Sequence, residues 1–409
     1  MSLETAAGTV ADRIKRQEFV EVIAHHDADG IAAASILCHA MLRAGIRFRL
    51  RVRQEIALSE VSGDAAYLLC DLGAGMENLP RDAMVVDHHL PLSEGEFHVN
   101  PRLCGIDGDR ELSAAGTAYY VAQELGDNRD LAGLVIPGII GDGQQMKGKN
   151  LEIFNEGIAN GIIVPDRGIT LPGRDMTERW YIATSPYLGG ISGAEERIAG
   201  FIGQSRDAAQ GSNGLRLDTL LSQVVLEAAP KTTAASLLAV YGDTFHLQRE
   251  VIEDAHALTA VIDACGKAGF GDIAATLCLR SSHYLDRAWE ITRQHRGKVI
   301  EAVRTANPVE GYKGVYEIAN AMLASDVSDI LARDIPHAVP VLVYAKSGDT
   351  CRISARCPPG TTADLGPLVR ALAGSCGGNG GGHLLRAGAT VPCDKVALFA
   401  KGWQEAVAS

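Results

Sequence analysis

The sequence predicts an α/β protein with an N-terminal parallel-sheet domain, a helical connector and a smaller α/β C-terminal domain. Three observations carry this expectation. Apolar, strand-like runs at residues 19–23, 65–70 and 84–86 each stop at an acid or a histidine cluster. Helical patterning then dominates the middle of the chain, and a hairpin pattern followed by a glycine-rich string closes it. The boundaries expected are 1–200, 201–306 and 307–409.

Composition fits this class. Of 409 residues, 46% are hydrophobic and 22% charged, enough apolar material for at least two cores. Glu4, Asp12, Arg13, Lys15 and Arg16 interrupt any apolar opening, and no apolar run reaches the roughly 18 residues of a membrane helix. A soluble, cytoplasmic protein without membrane contact is expected. The nine cysteines include no C-x-x-C pair, so neither a disulfide framework nor a thiolate zinc site is indicated, and reduced, mostly packed thiols are expected. A net charge of −12 argues against bulk electrostatic capture of nucleic acid but leaves room for a local basic groove.

The run Phe19-Val20-Glu21-Val22-Ile23 reads as a strand and passes through Ala24-His25-His26-Asp27-Ala28-Asp29-Gly30 into an Ala-rich helix. His25, Asp27 and Asp29 alternate, so on extended backbone they project to one side. One imidazole with two carboxylates suits Mn²⁺, Zn²⁺ or Fe²⁺ better than Ca²⁺. A capped helix start is the competing reading, because Asp before a helix is a good N-cap.

Residues 47–53 alternate strictly, with Arg47, Arg49, Arg51 and Arg53 on one face, as in a strand near a sheet edge. Side chains two apart along a strand are separated by about 6.6 Å, comparable with phosphate spacing on an extended single strand. Holding a polyanion is one reading of this row, and a solvated or salt-bridged face is the other. Residues 65–70 form a further buried strand, followed by Asp71, and Met84-Val85-Val86 delivers Asp87-His88-His89 in the same way. A carboxylate at the end of a buried strand is costly unless paired or bound to a metal. Helices are expected at 113–125 and 131–140, the second ending at Gly141-Asp142-Gly143.

His25, Asp27, Asp29, Asp71, His88 and Asp142 together exceed what one metal ion can use. A pair of ions about 3.5 to 4 Å apart sharing a carboxylate can use them all, and such a pair polarises a phosphoryl group and activates water. Asp71, on the central strand, is the expected bridge. His89 remains to bind a phosphoryl oxygen or to protonate a leaving group, and Asp87 to orient a ligating imidazole.

Further along, residues 185–193 form a Gly- and Pro-rich loop, and helical patterning is expected at 219–228 and 245–306, with breaks at 266–271 and near Ser281. Residues 339–344 and 350–356 flank Ser347-Gly348-Asp349 as a hairpin, and a helix is expected at 364–373. The string Gly377 to His383, six of its seven residues Gly or Asn, reads as a phosphate nest in which consecutive backbone N–H groups turn onto an anion.

These residues resemble the DHH phosphoesterase superfamily. The first motif matches His25-x-Asp27-x-Asp29-Gly30, the second Asp71, the third Asp87-His88-His89 and the fourth Asp142. The short spacing in the first motif leaves both His25 and His26 open as the ligand, with His25 favoured. The C-terminal segment resembles the DHH-associated C-terminal domain through Gly380-Gly381-Gly382-His383 and Ser354-x-Arg356, while 185–193 and 263–267 resemble segments of archaeal RecJ-like chains.

The resemblance implies a pair of Mn²⁺ ions per chain, with Mg²⁺ or Co²⁺ as substitutes. One ion would be held by His25, Asp27 and Asp71, the other by Asp29, Asp71, His88 and Asp142. Ser354, Arg356, Gly380, Gly381, Gly382 and His383 would clamp substrate phosphates across a cleft from the metals, which implies an active site in the interdomain cleft, and His89 and Asp87 would serve catalysis. The activity implied is a RecJ-like exonuclease acting on single-stranded DNA or RNA, as in DNA repair. Two alternatives stay open: a phosphodiesterase of very short oligonucleotides or cyclic dinucleotides, and an inactive scaffold binding replication proteins.

Overall fold

Ser2 starts helix α1 (Leu3–Lys15) by accepting the N–H of Thr5 at 3.2 Å. Strand β1 (Phe19–His25) follows, then α2 (Ala28–Arg43), β2 (Arg47–Arg53), β3 (Ala66–Cys70), β4 (Met84–Val86) and β5 (His98–Val99). In this computed structural model, which describes residues 2–62, 65–206, 214–361, 363–382 and 384–407, the five strands form one sheet in the order β2-β1-β3-β4-β5, every pair parallel. The register sets Ala24 beside Cys70 and Cys70 beside Val86. The residues that follow each of these, His25, Asp71 and Asp87, therefore leave three adjacent strands at one level of one sheet edge.

Helix α2 is buried without exception from Ala28 to Cys38. Its small side chains let it lie close to α3 (Ala114–Leu125), which contributes Ala114, Ala115, Gly116 and Ala118 to the same core. Helices α4 (Ala132–Gly141) and α5 (Gly148–Ala159) follow, and strand β6 (Ile163–Ile169) leads away. The two expected helices near 113–140 are thus found within a residue of their expected ends.

Next in the chain come α6 (Met176–Tyr181), α7 (Glu195–Gln204), α8 (Leu217–Ala228), α9 (Ala234–Leu238), β7 (Tyr241–Leu247), α10 (Ala255–Lys267), α11 (Gly271–Cys278) and α12 (Leu285–Arg304). Residues 245–247, expected as helix, are instead the end of β7, which pairs with β6 in a two-stranded sheet. The side chains of Tyr241, Thr244 and Phe245 favour the extended backbone that this pairing needs.

Two compact units result: Met1–Pro172 with Asp243–His295, and Gly173–Gly242 with Arg296–Ser409. They do not follow the three consecutive segments expected from sequence, because α10 and α11 pack in the first unit against α2, α4 and β2. Glycine makes this possible. A Cβ at Gly266 would lie 1.8 Å from the carbonyl oxygen of His26, and one at Gly271 would lie 2.4 Å from Cβ of Val52.

In the second unit the 185–193 loop is tied down by buried Asp334, which accepts the Tyr187 N–H at 2.8 Å and the Ser236 hydroxyl at 2.8 Å. The remaining elements are β8 (Asn307–Pro308), β9 (Val315–Glu317), α13 (Ala324–Arg333), β10 (Val341–Ser347), β11 (Thr350–Arg356), α14 (Leu365–Ser375), β12 (Asn379–Gly382), β13 (Arg386–Pro392) and α15 (Val396–Val407). The strands make a sheet in the order β12-β13-β11-β10-β9-β8. The expected hairpin is β10–β11, with Ser347 opposite Thr350 and Gly348 at φ 64° in the turn. Along β10, Leu342 and Tyr344 face a core with α14 and α15, while Val341, Val343 and Ala345 face one with α13.

The glycine-rich string is not a nest. Asn379–Gly382 is extended and pairs antiparallel with β13 as an edge strand. The glycines serve close packing: a Cβ at Gly378 would meet the Thr390 carbonyl oxygen at 2.2 Å, and one at Gly380 would meet Cβ of Ala389 and of Ala373 at 2.9 and 3.0 Å. His383 lies outside the described residues.

Gly266→Ala should destabilise the protein by about 1–3 kcal/mol, because the contact is with backbone and cannot be relieved by a rotamer change. Gly200→Ala, at a helical glycine with nothing within 4 Å, should be neutral or stabilise by about 0.5–1 kcal/mol. Urea denaturation of both variants checks the contrast.

Candidate metal centre

The parallel register brings the expected ligands together. His25 Nδ1 lies 2.8 Å from Asp27 Oδ2 and 3.2 Å from Asp71 Oδ2. His88 Nε2 lies 3.1 Å from Asp142 Oδ2, 3.4 Å from Asp71 Oδ1 and 3.8 Å from Asp29 Oδ2. Each oxygen of Asp71 thus faces a different imidazole. Three sets of side chains, His25/Asp27/Asp71, Asp29/His88/Asp142 and Asp71/His88/His89, each hold their donor atoms within 4.8 Å of one another. His26 belongs to none of these sets; its ring stacks obliquely beside that of His25 at 4.8 Å.

Local structure explains each position. Asp27 takes the capping role, Oδ1 accepting the Gly30 N–H of α2 at 3.0 Å, and its Oδ2 lies beside His25 in a set that could hold a metal. Asp29, fully buried, accepts the N–H groups of Ala114 and Ala115 at 2.7 and 2.8 Å, so its charge sits on the positive end of α3. Gly138 leaves room for this, since a Cβ there would lie 2.2 Å from Asp29 Oδ1. Asp142 is the residue capping the carboxyl end of α4. Asp71 has φ 57°, a left-handed conformation that Asp tolerates better than most residues, and its N–H is held by the Val86 carbonyl at 2.9 Å.

Asp87 corrects one expectation. It accepts the N–H of Ala74, His88 and His89 at 2.9, 2.7 and 3.1 Å and the Nδ1–H of His89 at 2.8 Å, so the imidazole it orients is that of His89. The ring of His88 is oriented instead by the Gly108 carbonyl, 2.5 Å from Nδ1, which directs Nε2 at the carboxylates. Gln144 donates to the same carbonyl at 2.9 Å, and Arg102 and Asn100 donate to the carbonyls of His88 and His89 at 2.9 and 2.8 Å. None of these four supports was read from the sequence. They lie in loops and a short 3-10 turn, where no strand or helix period marks them.

The electrostatics are those of a pocket that needs positive charge. Burial alone would lower His25 and His88, but Asp27 and Asp71 beside the first, and Asp142 and Asp71 beside the second, hold both imidazoles well above the usual range. Burial and the charges of Asp142 and Asp71 push Asp29 up. Against its burial, Asp87 is held below the carboxylate range by His89 and by the neighbouring backbone N–H groups. His89 is raised to about 9: burial opposes the shift, and the hydrogen bond to Asp87 with the charges of Asp71 and Asp87 outweighs it. Asp71 Oδ1, His88 Nε2 and Asp142 Oδ2 are buried without a hydrogen-bond partner although they converge on one point. Carboxylates with imidazoles, left unsatisfied together, fit a divalent cation of the Mn²⁺, Mg²⁺ or Co²⁺ type.

The remaining expected residues lie elsewhere. Arg49 and Arg51 both reach Glu21, at 2.8 and 3.6 Å, while Arg47 and Arg53 lie 3.9 and 3.6 Å from Glu18 and Glu60, so the arginine row is salt-bridged. In the second unit Arg356 donates to Asp329 at 2.6 Å, Ser325 at 2.8 Å and Ser354 at 3.0 Å, and the Ser354 hydroxyl lies 2.8 Å from that of Ser328.

Comparison with known proteins bears on this geometry. Residues 312–409 match the DHHA1 domain. An uncharacterized protein of Methanocaldococcus jannaschii is 28% identical, over 95% of this chain and 93% of its own. The fold matches RecJ of Thermus thermophilus in complex with Mn²⁺ with a TM-score of 0.61, at 17% identity over 98% of this chain and 54% of that one. The fold is RecJ-like. An exonuclease RecJ bound to manganese shares it with a TM-score of 0.55, at 14% identity over 99% of this chain and 94% of that one. So does CDC45 from Entamoeba histolytica, with a TM-score of 0.64 at 10% identity over 100% and 99% of the two chains. This chain therefore spans about half the length of the Thermus RecJ. Among its described residues, no helix of this RecJ-like chain is long and apolar enough to cross a membrane.

Because a metal ion binds only neutral imidazole, and His25 and His88 hold protons more tightly than usual, Mn²⁺ binding should release protons. The apparent dissociation constant should fall as pH rises from about 6 to 8. Calorimetric titrations in buffers of different ionisation enthalpy measure the proton count, and a pH-independent affinity would contradict the assignment.

Proposed function

We propose that this chain is a Mn²⁺-dependent phosphodiesterase of RecJ type that releases nucleotides from single-stranded DNA or RNA. The observation that carries the reading is Asp71 facing two imidazole-carboxylate sets at once, with buried donor atoms left over. Two solved structures with this fold are described as RecJ bound to manganese, which supports the choice of ion.

In this reading His25, Asp27 and Asp71 hold one cation, and Asp29, Asp71, His88 and Asp142 hold the other. When bound, such a pair polarises a phosphoryl group and makes water nucleophilic near neutral pH. The α3 N-terminus favours the ionised form of Asp29 and holds the carboxylate in place, and the Gly108 carbonyl keeps Nε2 of His88 directed inward. Asp87 holds His89, whose side chain is 41% exposed, as a proton donor to the leaving oxygen or a hydrogen-bond donor to the phosphoryl group. Ser354, the Gly380–Gly382 strand and His383 are proposed to contact substrate phosphates. Arg356, already engaged by Asp329 and Ser325, is proposed to keep Ser354 in place as well as to add positive charge.

The fold likeness to CDC45 along the whole chain favours a second reading, a non-catalytic scaffold with replication partners. The complete ligand set weighs against it, because buried unsatisfied carboxylates are costly to retain without use. Purified protein with Mn²⁺ should shorten labelled single strands progressively. Cleavage confined to dinucleotides, very short oligomers or cyclic dinucleotides would point to a small-substrate phosphodiesterase, and no cleavage at any length to the scaffold. Asp71→Asn should lower turnover by at least about 10³-fold, and an active Asp71→Asn variant would contradict the bridging role. Gln is too long to serve as a control there, so circular dichroism of Asp71→Asn should confirm that the fold is kept.

A further inference from the structure

Outside the metal centre, two cysteines meet in the second unit. Cys351 lies near the start of β11 opposite Val391 of β13, and Cys393 follows β13 two residues later, on the same face and diagonally across. Their sulfurs are 2.9 Å apart, inside van der Waals contact, and no other two cysteine sulfurs among the described residues are in such contact. Cys351 is buried and Cys393 is partly exposed. The Cys393 N–H is bonded to the Asp349 carbonyl at 3.0 Å, so the backbone on both sides is held by the sheet.

We propose that Cys351 and Cys393 form a reversible intrachain disulfide, making this corner of the C-terminal sheet a site of thiol oxidation. The oxidant is a low-molecular-weight disulfide, R–S–S–R. The partly exposed Cys393 thiolate attacks one of its sulfurs, forming a mixed disulfide and releasing one R–S⁻. The Cys351 thiolate then attacks Sγ of Cys393 and expels the second R–S⁻. The two cysteine protons end on the two released thiolates, so the protein loses two protons and two electrons, and one R–S–S–R becomes two R–SH. Accessibility sets this order. Burial and the neighbouring Cys393 push the Cys351 thiol up to about 12, which also makes it the poorer first nucleophile, while Lys346, its cross-strand neighbour on β10, favours its ionised form in the second step.

The bond would close a loop from 351 to 393 that contains Ser354, Arg356, α14 and the Gly380–Gly382 strand. Both ends of the segment proposed to meet substrate phosphates would be tied to each other. The bond also removes entropy from the unfolded chain, so the oxidised protein should be the more heat-resistant form.

The test uses the full chain equilibrated with oxidised glutathione, against a reduced control. After denaturation and alkylation, two of the nine cysteines should escape modification, the protein should be two hydrogens lighter, and a proteolytic peptide should join Cys351 to Cys393. Thermal unfolding should occur at a higher temperature in the oxidised form, and Cys351→Ser and Cys393→Ser should each remove the difference. Full alkylation of all nine cysteines, stable glutathione adducts on Cys393, or a bond between other cysteines would each overturn the proposal. None of these readouts depends on metal or on nuclease activity.

Discussion

The structure of the first unit depends on one carboxylate placed between two imidazoles. Asp71 reaches His25 with one oxygen at 3.2 Å and His88 with the other at 3.4 Å, from a backbone conformation that few residues adopt willingly. A buried carboxylate is expensive unless its charge is answered. Around Asp71 the chain answers charge in every way open to it. Asp29 is set on a helix N-terminus, Asp27 on the first turn of another helix and on an imidazole, and Asp87 on three backbone N–H groups. At one point the answer is ionic only: His88 Nε2 meets Asp142 and Asp71 at 3.1 and 3.4 Å, yet none of the three buried atoms is hydrogen-bonded. Apolar residues at these positions would make a more stable core, which marks the cluster as a candidate cation site.

The helices around this centre can be close only because their contact residues are small. Gly138 lets α4 approach Asp29, Gly266 lets α10 lie on the backbone of His26, and the alanines of α2 and α3 bring those helices together beneath the ligands. A Cβ at Gly138 or Gly266 would meet Asp29 Oδ1 at 2.2 Å or the His26 carbonyl oxygen at 1.8 Å, so either substitution must shift the neighbouring segment. Glycine serves the same purpose in the second unit, where the string at 377–382 packs α14 against the sheet instead of curling around an anion.

The second unit answers polar burial differently. Asp334 gathers the 185–193 loop and Ser236, and Asp329 takes the guanidinium of Arg356, so its carboxylates are spent on internal ties. The thiols of Cys351 and Cys393, brought into contact by the same strand pairing, are the exception, since contact between two thiols adds little to stability until a covalent bond joins them.

Much of this was written in local pattern. The apolar runs that end in His25, Asp71 and Asp87, the helix expected at 113–125 and the hairpin at Gly348 depend on neighbours within a few residues, and strand or helix period exposes them directly. Other features depend on which segment lies across the gap. Glu21 neutralises Arg49 from an adjacent strand, Gly108 rather than Asp87 orients His88, residues 241–247 extend because β6 is there to pair with them, and α10 and α11 join the first unit through glycines whose purpose shows only when His26 and Val52 are beside them. The order of residues along the chain by itself determined which side chains were available as ligands and that each would leave a strand end. Only the tertiary structure decided their pairing, because hydrogen-bond partners, charge compensation and close approach are properties of distance in space, to which sequence separation is a poor guide.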